Sequence, residues 1–431
     1  MKDRYDVVII GGGITGLIAA YELVKKGRSV AIFEKTNQLG GVIAPFKVNG
    51  CSLEGFYHHL FIRDTAVFNL VKELGINISW HITKLAFQYS HNEHYSLSCP
   101  FDLFNFHRLS FSEKIRLGKF LARVSLSFDM DQLAGFSAGD WLTDQVGKNI
   151  YRIFFEPMLR AKFGTNADQI GADWIIGRLR IRSGRTWRGE KLGYIKGGFN
   201  CLIEGLAREI AGSGSRIYLD ASIERISTNA GSAKGVFLKD GREFYSDHII
   251  STVPPEVLLA LVDMPEYYSE KIKQLEYQWT ICIVLAIKKR LTRHYWINLM
   301  DKNLKFNVLI EHTNFQPAAA YGAHILYLAS YPEKDSHLWN LKEDELVNMY
   351  LESFKVLFPS FREEEIEWVR VFQSKAAGLI YRIGMKENLP GIQTPIEGLF
   401  IGGMFNSYPD RSIDTSARIA HRCAQNIMEQ V

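Results

Sequence analysis

The stretch Asp6-Val7-Val8-Ile9-Ile10-Gly11-Gly12-Gly13-Ile14-Thr15-Gly16 decides the fold of this chain. Its apolar, β-branched first half is typical of a short strand that is buried in a parallel sheet. The glycines follow the pattern G-x-G-x-x-G, in which Gly11 allows a tight turn and Gly13 lets the backbone approach a pyrophosphate. Gly16 lets the following helix pack closely on the strand. The stretch therefore predicts a nucleotide-binding turn between a strand and a helix.

A helix and a second strand complete this unit. Residues 17–26 predict the helix, which ends at Gly27, and residues 29–34 predict the strand. The helix N-terminus would present free N–H groups and the positive end of its dipole to phosphate groups. Glu34 ends the second strand, where a carboxylate can accept hydrogen bonds from ribose hydroxyls. This context favours a dinucleotide-binding unit over the alternative, a glycine-rich turn without a ligand.

Three features favour FAD over NAD as the dinucleotide. Gly40 and Gly41 follow the second strand closely, which keeps the chain tight against the cofactor. The segment Gly398–Gly403 predicts a strand with a glycine exit, and Tyr408–Asp414 leads from it to a helix whose N-terminus could place amides near a flavin. The G-x-G-x-x-G pattern occurs once, whereas enzymes that also bind NAD(P) through a second nucleotide domain usually carry another.

The chain resembles the superfamily of flavin-containing amine oxidases, protoporphyrinogen oxidases and phytoene desaturases. The resemblance covers nearly the whole chain and is carried by the fingerprint Val7–Gly41, the glycine stretch Glu190–Phe199 and the C-terminal motif Gly402–Ala424. It implies a non-covalent FAD, because no Cys or His stands in the loop Phe405–Ser412. The motifs and the resemblance together imply these cofactor-binding residues: Gly11, Gly13, Ile14, Thr15, Gly16, Glu34, Lys35, Gly40, Gly41, Val42, Ile223, Val253, Gly403, Met404, Ser412 and Ile413.

Two positions depart from the pattern of this family. Val42 follows Gly40 and Gly41, at a position where many members of the family have an arginine that supports the pyrophosphate. Met404 follows Gly403, where an acidic residue is usual. We therefore expect backbone amides around Gly13 to hold most of the pyrophosphate charge.

The order of predicted elements implies an α/β fold, with a Rossmann-like FAD-binding domain of the glutathione-reductase type and an inserted α+β substrate domain. No linker separates the two domains, which favours insertion over a tandem arrangement. We expect the FAD-binding domain to comprise residues 1–60, 190–270 and 368–431. The substrate domain would comprise 61–189, mainly helical, and 271–367, mainly a sheet. The active site should lie where the domains meet over the flavin ring.

Four side chains are candidates for the chemistry. His58 and His59 lie in a segment that runs from the predicted FAD turn toward the flavin, and histidines transfer protons near neutral pH. The alternative is that they bond to the backbone beside the cofactor. Tyr408, in the C-terminal loop, could flank the substrate or be a core tyrosine. Lys375 could hold a water near flavin N5 or be a solvated lysine at a strand edge.

Two basic stretches allow several interpretations. The first surrounds Trp187 and consists of Arg178, Arg180, Arg182, Arg185 and Arg188. It fits an anionic substrate, a membrane surface that carries a lipophilic substrate, or a solvated helix end. The second lies on the predicted amphipathic helix 113–128 and consists of Lys114, Arg116, Lys119 and Arg123. It fits a membrane surface or a solvated helix face.

Composition limits the classes of function. Lys and Arg total 51 and Asp and Glu total 47, and this net charge of +4 does not indicate a nucleic-acid partner. The five cysteines are scattered without a C-x-x-C pair, so neither a disulfide framework nor a metal site is predicted, and a cytoplasmic location is expected. No apolar run is long enough to span a membrane, although peripheral contact with one stays open.

The sequence therefore predicts an FAD-dependent oxidoreductase. It would oxidise a C–N or C–C bond of a small molecule, or desaturate that molecule. The resemblance implies that the substrate is hydrophobic or aromatic, and electrons would leave to oxygen or a quinone. One alternative is a non-redox flavoenzyme that resembles UDP-galactopyranose mutase and acts on a sugar nucleotide. Another is a flavin-bound scaffold without turnover.

Overall fold

A computed structural model of the chain describes residues 3–126, 130–133, 135–182, 185–409 and 411–430. The strands in chain order are β1 Asp3–Arg4, β2 Val7–Ile10, β3 Val30–Phe33, β4 Pro45–Val48, β5 Cys51–Glu54, β6 Leu60–Phe61, β7 Ile78–Thr83, β8 Leu85–Ser90, β9 Glu93–Ser96, β10 Arg185–Thr186, β11 Gly189–Ile195, β12 Arg216–Tyr218, β13 Ile223–Asn229, β14 Ser232–Leu238, β15 Glu243–Tyr245, β16 His248–Ser251, β17 Tyr277–Ile287, β18 Trp296–Leu299, β19 Val308–Glu311, β20 His324–Ser330, β21 Ile366–Leu379 and β22 Leu399–Ile401. The α-helices are α1 Ile14–Val24, α2 Thr65–Glu73, α3 Phe111–Leu126, α4 Ala138–Val146, α5 Lys148–Ile150, α6 Glu156–Phe163, α7 Ala172–Ile181, α8 Asn200–Gly212, α9 Pro255–Leu259, α10 Glu266–Lys273, α11 Glu343–Leu357, α12 Met385–Asn388 and α13 Ile413–Met428.

The N-terminal fingerprint lies at the centre of a five-stranded parallel sheet with the order β12-β3-β2-β16-β22. In β2, Val7 and Ile9 face one core, whereas Val8 and Ile10 face the other, because successive side chains of a strand point to opposite faces. All four are buried, which explains the continuous apolar run. The predicted strand–helix–strand unit is confirmed, but its helix begins at Ile14, three residues before the predicted start, and ends at Val24, two residues before the predicted end.

Helices cover this sheet and bring both ends of the chain together. Helices α8 and α13 pack against α1, and α13 also packs against α2. A second sheet, β1-β15-β14-β13, joins the N-terminal strand to the region after β12. The apolar patterns of residues 215–226 and 243–253 each predict one strand, whereas the structure divides each stretch into two strands at a bend. The turn at Asp220 and the hydroxyl of Ser246 break the pairing.

A seven-stranded sheet with the order β21-β17-β20-β19-β18-β8-β9 forms the other half of the molecule. Helix α11 packs on it through Leu346, Tyr350 and Phe354. The sequence pattern predicts a strand over residues 324–330 and a helix over residues 343–357, and β20 and α11 have these bounds. Strands β7 to β9 were not predicted: β7 and β8 pair with strands that are distant in the chain, and β9 pairs with β8 at the edge of the sheet. Helix α3 starts two residues before its prediction, and residues 127 and 128 of that prediction lie outside the described residues.

Strand β21 affects the expected domain bounds. It pairs with β17 over its whole length, with Phe372 opposite Cys282. Residues 368–379, which we assigned to the FAD-binding domain, therefore lie in the sheet of the expected substrate domain. The division into two domains remains a proposal, with the last segment starting after β21.

Candidate active site

The glycine turn is built for close approach of a phosphate. Gly11 has φ of 104°, and a Cβ there would lie 2.6 Å from Oγ1 of Thr252. A Cβ at Gly16 would overlap the carbonyl oxygen of Gly11. At Gly13, which precedes α1, a Cβ would meet nothing within 4 Å. The open space therefore lies at the N-terminus of α1, whose first-turn amides have no partner within the helix, and a pyrophosphate fits there.

Glu34 is held rigidly beside this turn. The amide of Gly12 donates to Oε2 of Glu34 at 2.8 Å, and the amide of Thr36 donates to Oε1 at 3.0 Å. Oε1 also accepts from the hydroxyl of Thr36 at 2.9 Å, whereas Oε2 keeps a lone pair for a further donor, which suits a ribose hydroxyl. The next residue, Lys35, is exposed. Ile223, another of the predicted cofactor-binding residues, begins β13 and is buried.

Gly40 and Gly41 hold their segment of the chain against the glycine turn Gly11–Gly16. The amide of Gly40 donates to the carbonyl of Gly12 at 2.9 Å. Gly40 and Gly41 have φ of 108° and 60°, a left-handed conformation that glycine adopts without strain. Val253, from the loop after β16, lies beside Gly11. The structure thus brings the predicted residues of the nucleotide end together from four separate segments.

The C-terminal motif closes the same site. Ser412 caps α13, because its Oγ accepts from the amide of Thr415 at 3.1 Å. Asp414 is fully buried and accepts from the amides of Ala66 and Val67 at 2.7 and 3.1 Å. This carboxylate fixes the start of α13 to α2, and therefore fixes the wall that Ile413 contributes.

A cavity of about 340 Å³ extends from these cofactor-binding segments to the seven-stranded sheet. That size lies within the range of small-molecule sites. The predicted cofactor residues that line it are Ile14, Val42, Met404, Ser412 and Ile413. Much of the remaining wall is apolar and comes from both halves of the molecule, and includes Phe61, Leu85, Phe87, Leu121, Phe154, Met158, Leu159, Trp174, Leu179, Trp296, Leu299 and Val308.

His58 and His59 both line this cavity. Nδ1 of His58 lies 2.7 Å from the carbonyl oxygen of Phe56, which can only accept, so Nδ1 carries the proton. Burial, assisted by the charge of Arg411, lowers the pKa of His58 to about 4. Nδ1 of His59 lies 3.1 Å from the hydroxyl of Tyr295, and burial holds the pKa of His59 well below its usual value. Both imidazoles are neutral at pH 7, which suits hydrogen bonding better than proton transfer.

The structure does not bring the other two catalytic candidates to the cavity. Lys375 is exposed, and its ammonium lies 4.9 Å from the centre of the Trp279 ring. It lies between Ser374 and Gly378, where the pairing of β21 with β17 shifts register. Tyr408 packs in the core, with its ring centre 6.3 Å from that of Tyr381. We therefore leave Lys375 and Tyr408 out of the proposed chemistry. Ser374 and Ala377 of β21 line the cavity instead.

The first basic stretch divides between the cavity and the surface. Arg178, Arg182 and Arg185 line the cavity, whereas Arg188 is exposed and stacks on Trp187. Arg182 forms a buried ion pair with Glu190 at 3.1 Å. The interpretation as a solvated helix end is therefore wrong for Arg182. Ion pairing across the turn after α7 could not be deduced from sequence spacing.

Two further residues were missed by sequence reasoning. Arg411 lines the cavity next to His58, and its position directly before the cap of α13 was the available signal. Glu54 lies behind the histidine segment, fully buried, and burial raises its pKa to about 7. Its place at the end of an apolar strand gave no indication that it is buried.

The described residues contain neither a metal-ligand cluster nor a helix that could span a membrane. Within them, no group of three or more His, Cys, Asp or Glu side chains is arranged to hold a metal ion. None of the helices in the described ranges has both the length and the apolar character needed to cross a bilayer.

Comparisons with known proteins agree with this architecture. The sequence profile of the family described as flavin containing amine oxidoreductase matches residues 14–428. The 15-cis-phytoene desaturase of Solanum lycopersicum is 23% identical over 469 aligned positions, which cover 98% of this chain and 78% of the desaturase. An oxidoreductase from Methanosarcina mazei superposes with a TM-score of 0.78 at 20% identity, covering 99% of this chain and 100% of that one. A reduced UDP-galactopyranose mutase superposes with a TM-score of 0.76 at 17% identity, covering 99% and 96%. The predicted α/β class with a Rossmann-like cofactor domain is confirmed.

Proposed function

Since the chain belongs to the family of flavin containing amine oxidoreductases, it is an FAD-dependent oxidoreductase, and we propose that it oxidises or desaturates a small molecule with an extended apolar body. Bound FAD supplies the acceptor for the hydride that leaves the substrate. The substrate loses a hydride and a proton, and the electrons pass to oxygen or to a quinone. The curated phytoene desaturase relative is in keeping with an apolar substrate but does not identify it.

The apolar wall of the cavity carries this proposal. Phe87 of β8 lines the cavity together with Phe154, Met158 and Leu159, and the proposed cofactor residues line it as well. A hydrocarbon or aromatic body placed between them would be removed from water, at roughly 25 cal/mol for each Å² of apolar surface buried. A bound substrate would thus lie against the cofactor with water excluded around it.

The two histidines have a positioning role in this proposal. His58 keeps its Nδ1 proton on Phe56, which leaves Nε2 as an acceptor toward the cavity. His59 is oriented by Tyr295. Their neutrality favours hydrogen bonds that orient the substrate, and the proton released on oxidation would leave through water or another acceptor.

Anaerobic reduction of the bound flavin tests the proposed function. We expect apolar candidates, such as polyprenes or porphyrinogens, to bleach the visible flavin band, and oxygen or a quinone to restore it. Met158→Trp should prevent bleaching by filling the apolar part of the cavity, whereas Met349→Trp, outside the cavity, should not. Reduced protein that instead turns over a UDP-sugar without net oxidation would favour the mutase-like alternative, for which the cationic side chains of the cavity are the supporting observation.

The surface of α3 supports a second part of the proposal, peripheral contact with an anionic membrane. Phe111 and Ile115 are 66% and 45% exposed, and Phe101 and Phe104 of the preceding turn are 65% and 60% exposed. Nζ of Lys114 donates to the carbonyl of Phe104 at 2.8 Å, which joins the two segments. Exposed apolar residues gathered in this way mark interaction surfaces.

A basic stripe runs beside this apolar stripe. Arg116, Lys119 and Arg123 are exposed and lie on neighbouring turns of α3, whereas Leu117 and Phe120 on the opposite side are buried. An apolar face flanked by cations fits the headgroup region of an anionic bilayer, and like charges disfavour pairing with a second copy of the chain. Because Leu121 of the same helix lines the cavity, the surface lies close to a route for an apolar substrate.

Vesicle co-sedimentation of the full chain tests this contact. We expect binding to mixed phosphatidylcholine and phosphatidylglycerol vesicles, weaker binding to phosphatidylcholine alone, and weakening by salt. The double variant Phe104→Ser, Phe111→Ser should lose binding. The matched double variant Tyr267→Ser, Val356→Ser removes similarly exposed residues elsewhere and should keep it. Equal loss in both variants, or concentration-dependent dimers that only the first variant abolishes, would refute a membrane surface.

A further inference from the structure

Positive charge dominates the polar part of the cavity. Its described lining contains Lys162, Arg178, Arg182, Arg185 and Arg411, and no carboxylate is present among these described lining residues. A cationic amine substrate would be repelled there, whereas an anion would be attracted. The walls are thus apolar in one part and cationic in another.

These cations differ in how far their charge is already compensated. Arg182 pairs with Glu190, and Nζ of Lys162 lies 4.4 Å from the centre of the Tyr331 ring. Arg185 is exposed to solvent. Arg411 is half-buried, and its Nη1 is fully buried without a hydrogen-bond partner among the described residues. Leaving a buried guanidinium N–H unsatisfied is costly, so this atom points to a missing acceptor.

The guanidinium of Arg411 occupies the space that a side chain at Gly378 would fill. Gly378 lies near the end of β21, opposite Gln278 of β17. A Cβ at position 378 would overlap Nη1 of Arg411 and lie 2.8 Å from its Cζ. Gly378 does not have a positive φ, so glycine is needed there for space and not for conformation. Any larger residue would displace Arg411 from its position beside His58.

From this arrangement we propose that the substrate carries a carboxylate or phosphate group next to its apolar body, and that Arg411 binds this group. The inference rests on the proposed function, because it concerns the substrate of the same cavity. A guanidinium binds such groups through paired N–H donors, which would satisfy Nη1. The anionic group would then hold the substrate in one orientation, with its apolar body against Phe154 and Met158.

Binding of three twelve-carbon probes to the FAD-loaded protein tests this assignment. Dodecanoate, dodecylamine and dodecanol share one chain and differ in the headgroup, and perturbation of the flavin absorbance reports their binding. We expect dodecanoate to bind roughly tenfold or more tightly than the other two. Arg411→Gln should weaken dodecanoate binding roughly tenfold to a hundredfold and leave dodecanol binding unchanged. Arg370→Gln, an exposed arginine on β21, is the matched control and should change neither.

Two additional measurements distinguish a substrate anion from the flavin ring as the binding partner of Arg411. If Arg411 serves the flavin ring instead, Arg411→Gln will shift the flavin midpoint potential and leave dodecanoate affinity unchanged, which overturns the proposal. Gly378→Ala keeps the charge but displaces the guanidinium, and we expect it to lose the same preference, so it decides the matter if Arg411→Gln does not fold. Wild-type protein that holds FAD but binds dodecanoate no more tightly than dodecylamine also overturns it. Protein that holds no FAD would instead contradict the proposed function.

Discussion

The hydroxyl of Tyr194 donates to Oε2 of Glu54 at 2.7 Å inside the core of the protein. The amide of Phe199 donates to the other carboxyl oxygen at 2.9 Å. Burial raises the pKa of Glu54 to about 7, although both hydrogen bonds oppose that rise. This contact joins β5 to β11 and to the start of α8, behind the segment that carries His58.

We expect Glu54→Gln to flatten the dependence of stability on pH. The unfolded carboxyl has its ordinary pKa of 4.5, so the folded chain keeps a proton that the unfolded chain releases between pH 4.5 and about 7. The free energy of unfolding should therefore fall as pH rises through this window, by on the order of 3 kcal/mol at most, and level off above it. Urea midpoints at pH 5 and pH 8.5 measure the slope. Tyr194→Phe should extend the fall to higher pH, and identical slopes in Glu54→Gln and wild type would contradict this prediction.

We expect His58→Asn to reduce the loss of stability in acid. The contribution of His58 to the pH dependence has the opposite sign to that of Glu54. The pKa of His58 is about 4 in the folded chain, below its ordinary value of 6.5. Between these pH values the unfolded chain therefore binds a proton at this residue and the folded chain does not. Stability should decrease as pH falls from 6.5 to about 4, by on the order of 3 kcal/mol for this group. Thermal midpoints between pH 4 and pH 7 should show a smaller acid loss in the variant. His421→Asn, at an exposed position, serves as the control and should lose stability in acid as the wild type does.

Gly13→Glu should abolish FAD binding. The new side chain would fill the open space at the N-terminus of α1 and place a negative charge where the pyrophosphate binds, so we expect affinity to fall roughly a hundredfold or more. The ratio of flavin to protein absorbance after gel filtration measures the loss. Gly212→Glu, at the end of α8, also enters open space and should keep full flavin content. In the wild type, acid should release the flavin, because we predict non-covalent attachment.

Asp414→Ala should loosen the C-terminal wall of the cavity. The amides of Ala66 and Val67 would lose their shared acceptor, and we expect a loss of about 2–4 kcal/mol in the free energy of unfolding. Flavin retention should fall together with stability, because the same carboxylate fixes the start of α13. Asp263→Ala, at an exposed position, should leave both unchanged. Normal flavin retention in a destabilised Asp414→Ala protein would show that α13 does not support the cofactor.

The buried pair Arg182–Glu190 should behave non-additively. Arg182→Met leaves the Glu190 carboxylate, which is almost fully buried, without its cation, and we expect a cost of about 3–5 kcal/mol. Adding Glu190→Leu should recover most of that cost, since an apolar pair has no buried charge to compensate. Chemical denaturation of both single variants and the double variant measures the coupling. Additive losses would mean that the two side chains do not interact.

The sequence by itself determined the cofactor unit of this protein. Strand β2, the glycine turn and Glu34 are close in the chain, so local periodicity and the conformational needs of glycine suffice to predict them. The elements β20 and α11 were likewise predictable, because each buries one continuous apolar pattern. Residues expected beside the flavin could be proposed to the extent that they stand in such local motifs.

Only the tertiary structure decided which residues line the cavity. Lys375 lies outside the cavity at the point where the pairing of β21 with β17 shifts register, so simple strand alternation does not predict its position. The contact between Gly378 and Arg411 joins residues of different segments, so no spacing in the sequence encodes it. The cavity is made of such long-range contacts. Its mixture of apolar and cationic walls forms only when the seven-stranded sheet packs together with the cofactor-binding segments.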